Sequence, residues 1–198
     1  MEEKQTLKER SCSERSQRKE KSVRTSKIVR CAILAALICV MSQIAFPLPS
    51  GIPVTMQTFA ISFAGFFASF TGVAALFVFL LLGAVGVPVF ANFQGGLSAL
   101  TGLTAGYLVG FVPLCIACAV RYRTKNKVLN LSLTFLTSLV GLAACHALGM
   151  WWFSFQSGNG FLRAFLLASA PYLLKDVLSL AFGLALSEIL KRRLPVSA

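Results

Sequence analysis

Between residues 28 and 190 the chain consists of apolar runs long enough to cross a bilayer, broken only by short polar or Pro/Gly-rich connections. Such runs permit few folds. Hydrocarbon offers no partner for a bare backbone N–H or C=O, so a spanning segment must be a helix or part of a closed barrel. Runs near twenty residues fit the helix. The 198 residues are 56% hydrophobic and only 13% charged, with a mean hydropathy of +0.74. That length accommodates about six spans and little soluble domain. The runs fall at 28–46, 53–70, 73–90, 103–120, 128–152 and 171–190, with a short interfacial helix expected over 161–168. The expected fold class is an all-α integral membrane bundle of six transmembrane helices, with a Gly-rich polar loop between the third and fourth.

The net charge of +12 would suit a nucleic-acid ligand were it spread over one face. Its distribution excludes that reading. Residues 1–30 hold ten Lys/Arg, 121–127 hold four and 191–193 hold three, which leaves only Arg163 and Lys175 elsewhere. An even number of spans separates the three clusters, so all lie on one side, and the positive-inside rule makes that side and both termini cytoplasmic. The partner implied is a lipid bilayer. Residues 1–27 are charged and Ser-rich, and are expected to form a disordered basic cytoplasmic tail ahead of a membrane domain at 28–193 and a short tail at 194–198. Five acidic residues in the tail argue against a secretory signal. The six cysteines lie mostly inside apolar runs, and the CxxC of Cys115 and Cys118 has no second pair at metal-site spacing. They read as packed thiols, with neither metal nor cofactor.

Residues 88–110, PVFANFQGGLSALTGLTAGYLVG, interrupt the pattern. Pro88 lacks a donor, and Asn92, Gln94, Gly95 and Gly96 favour turned backbone. Irregular backbone beside a span is tolerated where protein buries it or where it lines a cavity. Gly102, Gly106 and Gly110 then give one helix face that a neighbour can approach closely. The stretch reads as the wall of a small-molecule pocket or as a plain connecting loop. Neutral hydrogen-bonding residues gather at the end opposite the cations: Gln43, Gln57, Thr58, Asn92, Gln94, Tyr107, Gln156 and Asn159.

Lys175 and Asp176 fall in the second turn of the sixth run. An ionised group deep in a bilayer costs about 2.5–3.5 kcal/mol, so such a pair faces a cavity or partner unless it snorkels to the interface. Gln57 and Asn92 offer donors and acceptors without charge, which suits a cyclic urea or amide, or an ordinary inter-helix hydrogen bond. Phe90, Phe93, Tyr107, Trp151 and Trp152 line a pocket or form an aromatic girdle. His146 reads as a neutral, hydrogen-bonded packing residue. Ala32 and Ala36 form a small-xxx-small face on the first span. GxxxxGK[ST], HExxH and GxSxG are all missing.

The segments PVTMQTFAISFAGF, GAVGVPVFANFQGG, LTGLTAGYLVGF and APYLLKDVL, in this order and spacing, resemble the BioY family, the biotin-specific substrate-binding (S) components of energy-coupling-factor (ECF) vitamin transporters. The likeness covers residues 28–193. It implies high-affinity capture and uptake of biotin across the bacterial cytoplasmic membrane by a multi-pass protein that is not an enzyme. It further implies a transmembrane coupling subunit docked on Ala32 and Ala36, and two partner subunits that use ATP. The expected biotin site comprises Asp176, Asn92, Gln57, Lys175, Tyr107 and Phe90. The chain departs from the family pattern where Lys175 replaces the Gly of a Gly-Asp pair and Ser179 takes the place of a later Lys. An S component for another vitamin, or an intramembrane enzyme using His146 with Asp176, are the alternative readings.

Overall fold

The apolar runs become helices because only the helix satisfies its backbone within a single segment. The computed structural model describes residues 2–46, 53–122, 124–158 and 160–193. Helix α1 (Glu2–Gln43) is followed by an antiparallel pair, β1 (Ala45–Phe46) and β2 (Val54–Thr55), in which Ala45 faces Thr55. Helices α2 (Gln57–Ala68) and α3 (Phe70–Val85) come next, then a 3-10 turn at Ala91–Phe93 and the short α4 (Leu97–Thr101). The chain closes with α5 (Ala105–Ala119), α6 (Lys127–Ser157), α7 (Phe161–Ala168) and α8 (Ala170–Arg193). Gln17–Gln43 and Lys127–Ser157 are long and apolar enough to cross a membrane by length and composition, while α2, α3 and α5 are shorter apolar helices.

Three local expectations change. The segment 1–27, expected as a disordered tail, is helix from Glu2 and forms the first part of α1. It is rich in Lys, Glu and Arg, which lose little on entering a helix, and Arg24 pairs with Glu20 one turn back at 3.9 Å. Residues 17–29 stay exposed, so this extension owes its form to propensity and to the packed helix it continues. The second run does not start its helix at Pro53. The β-branched Val54 and Thr55 pair with Ala45 and Phe46 first, and α2 starts at Gln57. The Pro/Gly-rich connection between the first two runs, with Pro47, Pro49 and Gly51, lies outside the described residues.

The break between the runs at 53–70 and 73–90 falls earlier, at Ser69, whose φ of 52° interrupts the chain between α2 and α3. The end of α5 and Arg121 just beyond it hold the break there. Ser69 Oγ donates to Ala119 O at 2.7 Å, and Arg121 Nη2 donates to Phe66 O and Phe67 O, both at 3.1 Å. A guanidinium on the last carbonyls of α2 satisfies acceptors that the helix leaves bare and opposes its negative end. Gly72 then lets α3 fold back on α2, since a Cβ there would lie 2.0 Å from Ala64 O.

Two glycines of the face on α5, Gly106 and Gly110, bring that helix close against α6. A Cβ on Gly106 would meet Trp152 Cβ at 2.4 Å and Leu148 O at 2.7 Å, and one on Gly110 would meet Cys145 Cα and O at 2.9 Å. From the other side, Gly141 approaches Ala117 and Gly149 lies under the Tyr107 ring. Gly102 does not share this seam; it ends α4 in extended conformation. Small residues on both helices bring backbone against backbone, which is how helices associate where lipid removes the hydrophobic drive. Replacing Gly110 by Leu should force α5 and α6 apart and cost about 1–3 kcal/mol. Thermal unfolding in detergent checks this, with Gly160→Ala, which meets nothing within 4 Å, as the silent control.

Candidate functional site

One cavity gathers five of the eight neutral polar residues that lie opposite the cations: Gln57, Thr58, Asn92, Gln94 and Tyr107. Its walls come from the start of α2, the 90–94 loop, the first turns of α5, the second half of α6 and the first turns of α8. Asp176 stands at its base, 5% exposed. Its Oδ1 meets Lys175 Nζ at 2.5 Å and its Oδ2 meets His146 Nε2 at 3.2 Å. The Thr58 hydroxyl also donates to it. Adjacent residues on a helix point about 100° apart, so Lys175 must curl back to reach its neighbour. Thr55 O holds it there, accepting from Nζ at 2.7 Å.

The hydrogens follow from the carboxylate. An ionised Asp only accepts, so His146 presents Nε2–H to it, and in the neutral ring Nδ1 is then an acceptor. Ser169 Oγ lies 3.1 Å from that Nδ1 and donates to it. Tyr107 OH, 3.0 Å from Ser169 Oγ, supplies the proton that the serine oxygen accepts. Tyr107, Ser169, His146 and Asp176 thus form a one-way chain joining α5, the turn before α8, α6 and α8. In a medium of low dielectric, such a chain is strong only while every member is satisfied.

Gln57 completes the floor. Its Oε1 accepts from Thr55 Oγ1 at 3.1 Å, whereas Nε2 is buried with no partner among the described residues. An unmatched buried amide costs about 1–3 kcal/mol, so a cavity-lining N–H of this kind invites an acceptor from a ligand.

The roof is the loop after α3. Gly86, at φ 108°, ends that helix, and Phe90 turns back so that its ring lies against Gly83 and edge-on to Phe79 at 5.3 Å. A Cβ on Gly83 would sit 2.0 Å from the Phe90 ring, so only glycine permits this fold-back. Asn92, which tolerates the left-handed region, stands at φ 57° on the exposed crest. The last turn of α1 ties the loop down. Gln43 Nε2 donates to Val89 O at 2.9 Å, Gln43 Oε1 accepts from Phe93 N–H at 3.1 Å, and the Ser42 hydroxyl donates to Val89 O.

The sequence model of the BioY family matches residues 15–196. The chain belongs to the BioY family. Among curated relatives, it is 32% identical to the "Probable biotin transporter BioY" of Pyrococcus horikoshii over 81% of this chain and 93% of that one. It is 29% identical to the "Biotin transporter BioY" of Thermotoga maritima, over 84% and 96% of the two chains. A crystal structure of "the S-component for biotin from an ECF-type ABC transporter" superimposes with a TM-score of 0.72 at 19% identity, covering 86% of this chain and 93% of that one. The fold is therefore that of an S component.

All six residues expected around a ligand in this BioY chain, Asp176, Asn92, Gln57, Lys175, Tyr107 and Phe90, line the one cavity, and Thr58 and Gln94 join them. Three others have different tasks. Gln43 clasps the loop, Trp152 Nε1 donates to Gly102 O at 2.8 Å, and Gln156 Nε2 donates to Thr101 O at 2.5 Å. Asn159 lies outside the described residues. His146, read as a packing residue, is hydrogen-bonded but also lines the cavity and anchors Asp176. Ser169 was missed. Its only sequence signal was a lone serine ahead of Pro171, and the structure buries it completely. Ala32 and Ala36 are exposed on the outer side of α1, while Ala35 between them faces the core. Removing the start of the chain, Tyr107→Phe, should cost about 1 kcal/mol, because Ser169 and His146 still satisfy each other. His146→Phe strips partners from Asp176 and Ser169 together and should cost about 1–3 kcal/mol more. The order of the two unfolding midpoints checks the direction of the chain.

Proposed function

We propose that this BioY-family protein captures biotin at the outer face of the bacterial cytoplasmic membrane, as the S component of an ECF-type ABC transporter. The observation that carries the reading is the meeting of Gln57, Asn92 and Asp176, two neutral amides and one carboxylate, in a single cavity beside apolar and aromatic walls. A cyclic urea has two N–H donors and one carbonyl. Asp176 accepts from the N–H groups, and the buried Nε2 of Gln57, with Asn92, donates to the carbonyl. The valeryl chain packs on Phe90 and Tyr107, and its carboxylate meets the remaining donor of Lys175 or backbone N–H groups. The chain crosses the membrane six times with both termini inside, and the coupling subunit seats on Ala32 and Ala36. That subunit and two ATPase subunits supply the energy for uptake.

Ser169, His146 and Asp176 stand in the order of a hydrolase triad, which gives the enzyme reading a specific motif. Its geometry argues against catalysis. Ser169 Oγ is fully buried, engaged by both Tyr107 and His146, and lies outside the cavity lining, so no substrate carbon reaches it. Tyr107, Ser169 and His146 together support the Asp176 carboxylate.

Calorimetric titration of the detergent-purified protein with biotin tests the reading. Asp176→Ala should weaken binding about tenfold or more, since losing a hydrogen bond to a charged partner costs about 1.5–3 kcal/mol. Unchanged affinity in a folded variant would remove Asp176 from the site, and tighter binding of a different vitamin would reassign the substrate. Ala32→Trp should abolish uptake by the assembled transporter while leaving biotin affinity intact, because Ala32 lies on the exterior of α1.

A further inference from the structure

A second cavity opens at the opposite end of the bundle, where the last turn of α5, the first turns of α6 and the last turns of α8 meet. Three cations, Arg121, Lys127 and Lys191, stand against a single carboxylate, Glu188. Lys191 Nζ is bonded to Glu188 Oε1 at 2.9 Å, which leaves the site with an excess of positive charge. The Arg121 guanidinium is fixed: Nε donates to Ser69 Oγ at 3.0 Å and Nη2 donates to the two carbonyls that end α2. Among the described residues its other amino group has no acceptor, and it is held in a position that costs no side-chain entropy to keep.

We propose that this cavity binds the phosphate headgroup of an anionic phospholipid from the inner leaflet. The ligand chemistry is a phosphate monoester or diester anion, matched by a preset guanidinium and two ammonium groups. The walls select the lipid-borne form over free phosphate. Phe66 and Leu184 lie in the cavity lining, and Leu131, 42% exposed, carries the cavity onto an outward apolar flank with Val128, one turn away on the same helix face. Headgroup and acyl chains therefore find basic and apolar surface side by side. Basic pockets between transmembrane helices on the cytoplasmic side suit anionic headgroups in this way. The proposed topology places this end in that leaflet. Because Arg121 also caps α2, an anion bound here ties together the turn between α2 and α3, the α5–α6 connection and the end of α8.

Thermal unfolding of the full chain in neutral detergent, titrated with phosphatidylglycerol, phosphatidylcholine or inorganic phosphate, tests this. Phosphatidylglycerol should raise the unfolding midpoint, half-saturating at a concentration at least fivefold below phosphatidylcholine, and inorganic phosphate should have no effect. Lys127→Gln, and separately Lys191→Gln, should each raise the half-saturating concentration about threefold or more. Biotin affinity should be unchanged in both, since the vitamin cavity lies at the other end. Equal responses to the two lipids, or variants that respond like the parent, would overturn the proposal. A full shift with inorganic phosphate alone would replace the lipid with a free anion and overturn it as well. Weakened assembly with the coupling subunit at an unaltered lipid response would show a protein contact instead. Loss of biotin binding by the parent protein would undo the proposed function and leave the lipid result standing.

Discussion

The structure depends on keeping one carboxylate charged among apolar helices. Asp176 is buried where an ion lacks water, and it is tolerated because three different elements bring donors to it: Lys175 on its own helix, His146 from α6 and Thr58 from α2. Each donor is itself oriented by another contact. Lys175 is held by Thr55 O, and His146 is held through Ser169 and Tyr107. Breaking one partner from a buried charge is far more costly than the net worth of the pair. The network therefore ties four parts of the chain to one register, and it leaves the neighbouring amide of Gln57 with an N–H still to satisfy.

That arrangement requires α5 and α6 to lie very close, because Tyr107 and His146 must share Ser169. The glycine seam provides the distance. With Gly106 against Trp152 and Gly149 under the Tyr107 ring, the phenol reaches across to the serine at the end of α7. Larger residues would move the ring out of reach before they disturbed any polar group. Packing and polar chemistry are thus one constraint here, with the glycines setting the geometry in which the hydrogen bonds form.

The roof of the cavity is attached to the helix whose outer side carries Ala32 and Ala36. Ser42 and Gln43, at the end of α1, hold Val89 and Phe93 by both donor and acceptor. Phe90 and Asn92, which line the cavity, lie between those two anchor points. The loop backbone includes two positive-φ residues, Asn92 and the bulky Phe93, and Gln43 provides part of what holds that unfavourable conformation in place.

The helical class, the segregation of cations from neutral polar groups and the family were legible in the sequence, because hydropathy and charge are properties of each segment by itself. The vitamin-site candidates were legible for a similar reason: an amide or a carboxylate inside an apolar run is conspicuous wherever the run packs. Other features belong to no single segment. Whether Gln43 faces a ligand or clasps a loop depends on what lies 46 residues away. Whether His146 merely packs or orients a carboxylate depends on the rotation of α6 against α8. Ser169 is unremarkable until three helices close over it, and Arg121 is one more loop cation until the end of α2 arrives beneath it. Composition and periodicity determined which surfaces must be buried. Only tertiary packing decided which polar groups meet, because hydrogen bonds need contact within about 3 Å, and that distance is set by helices far apart in the chain.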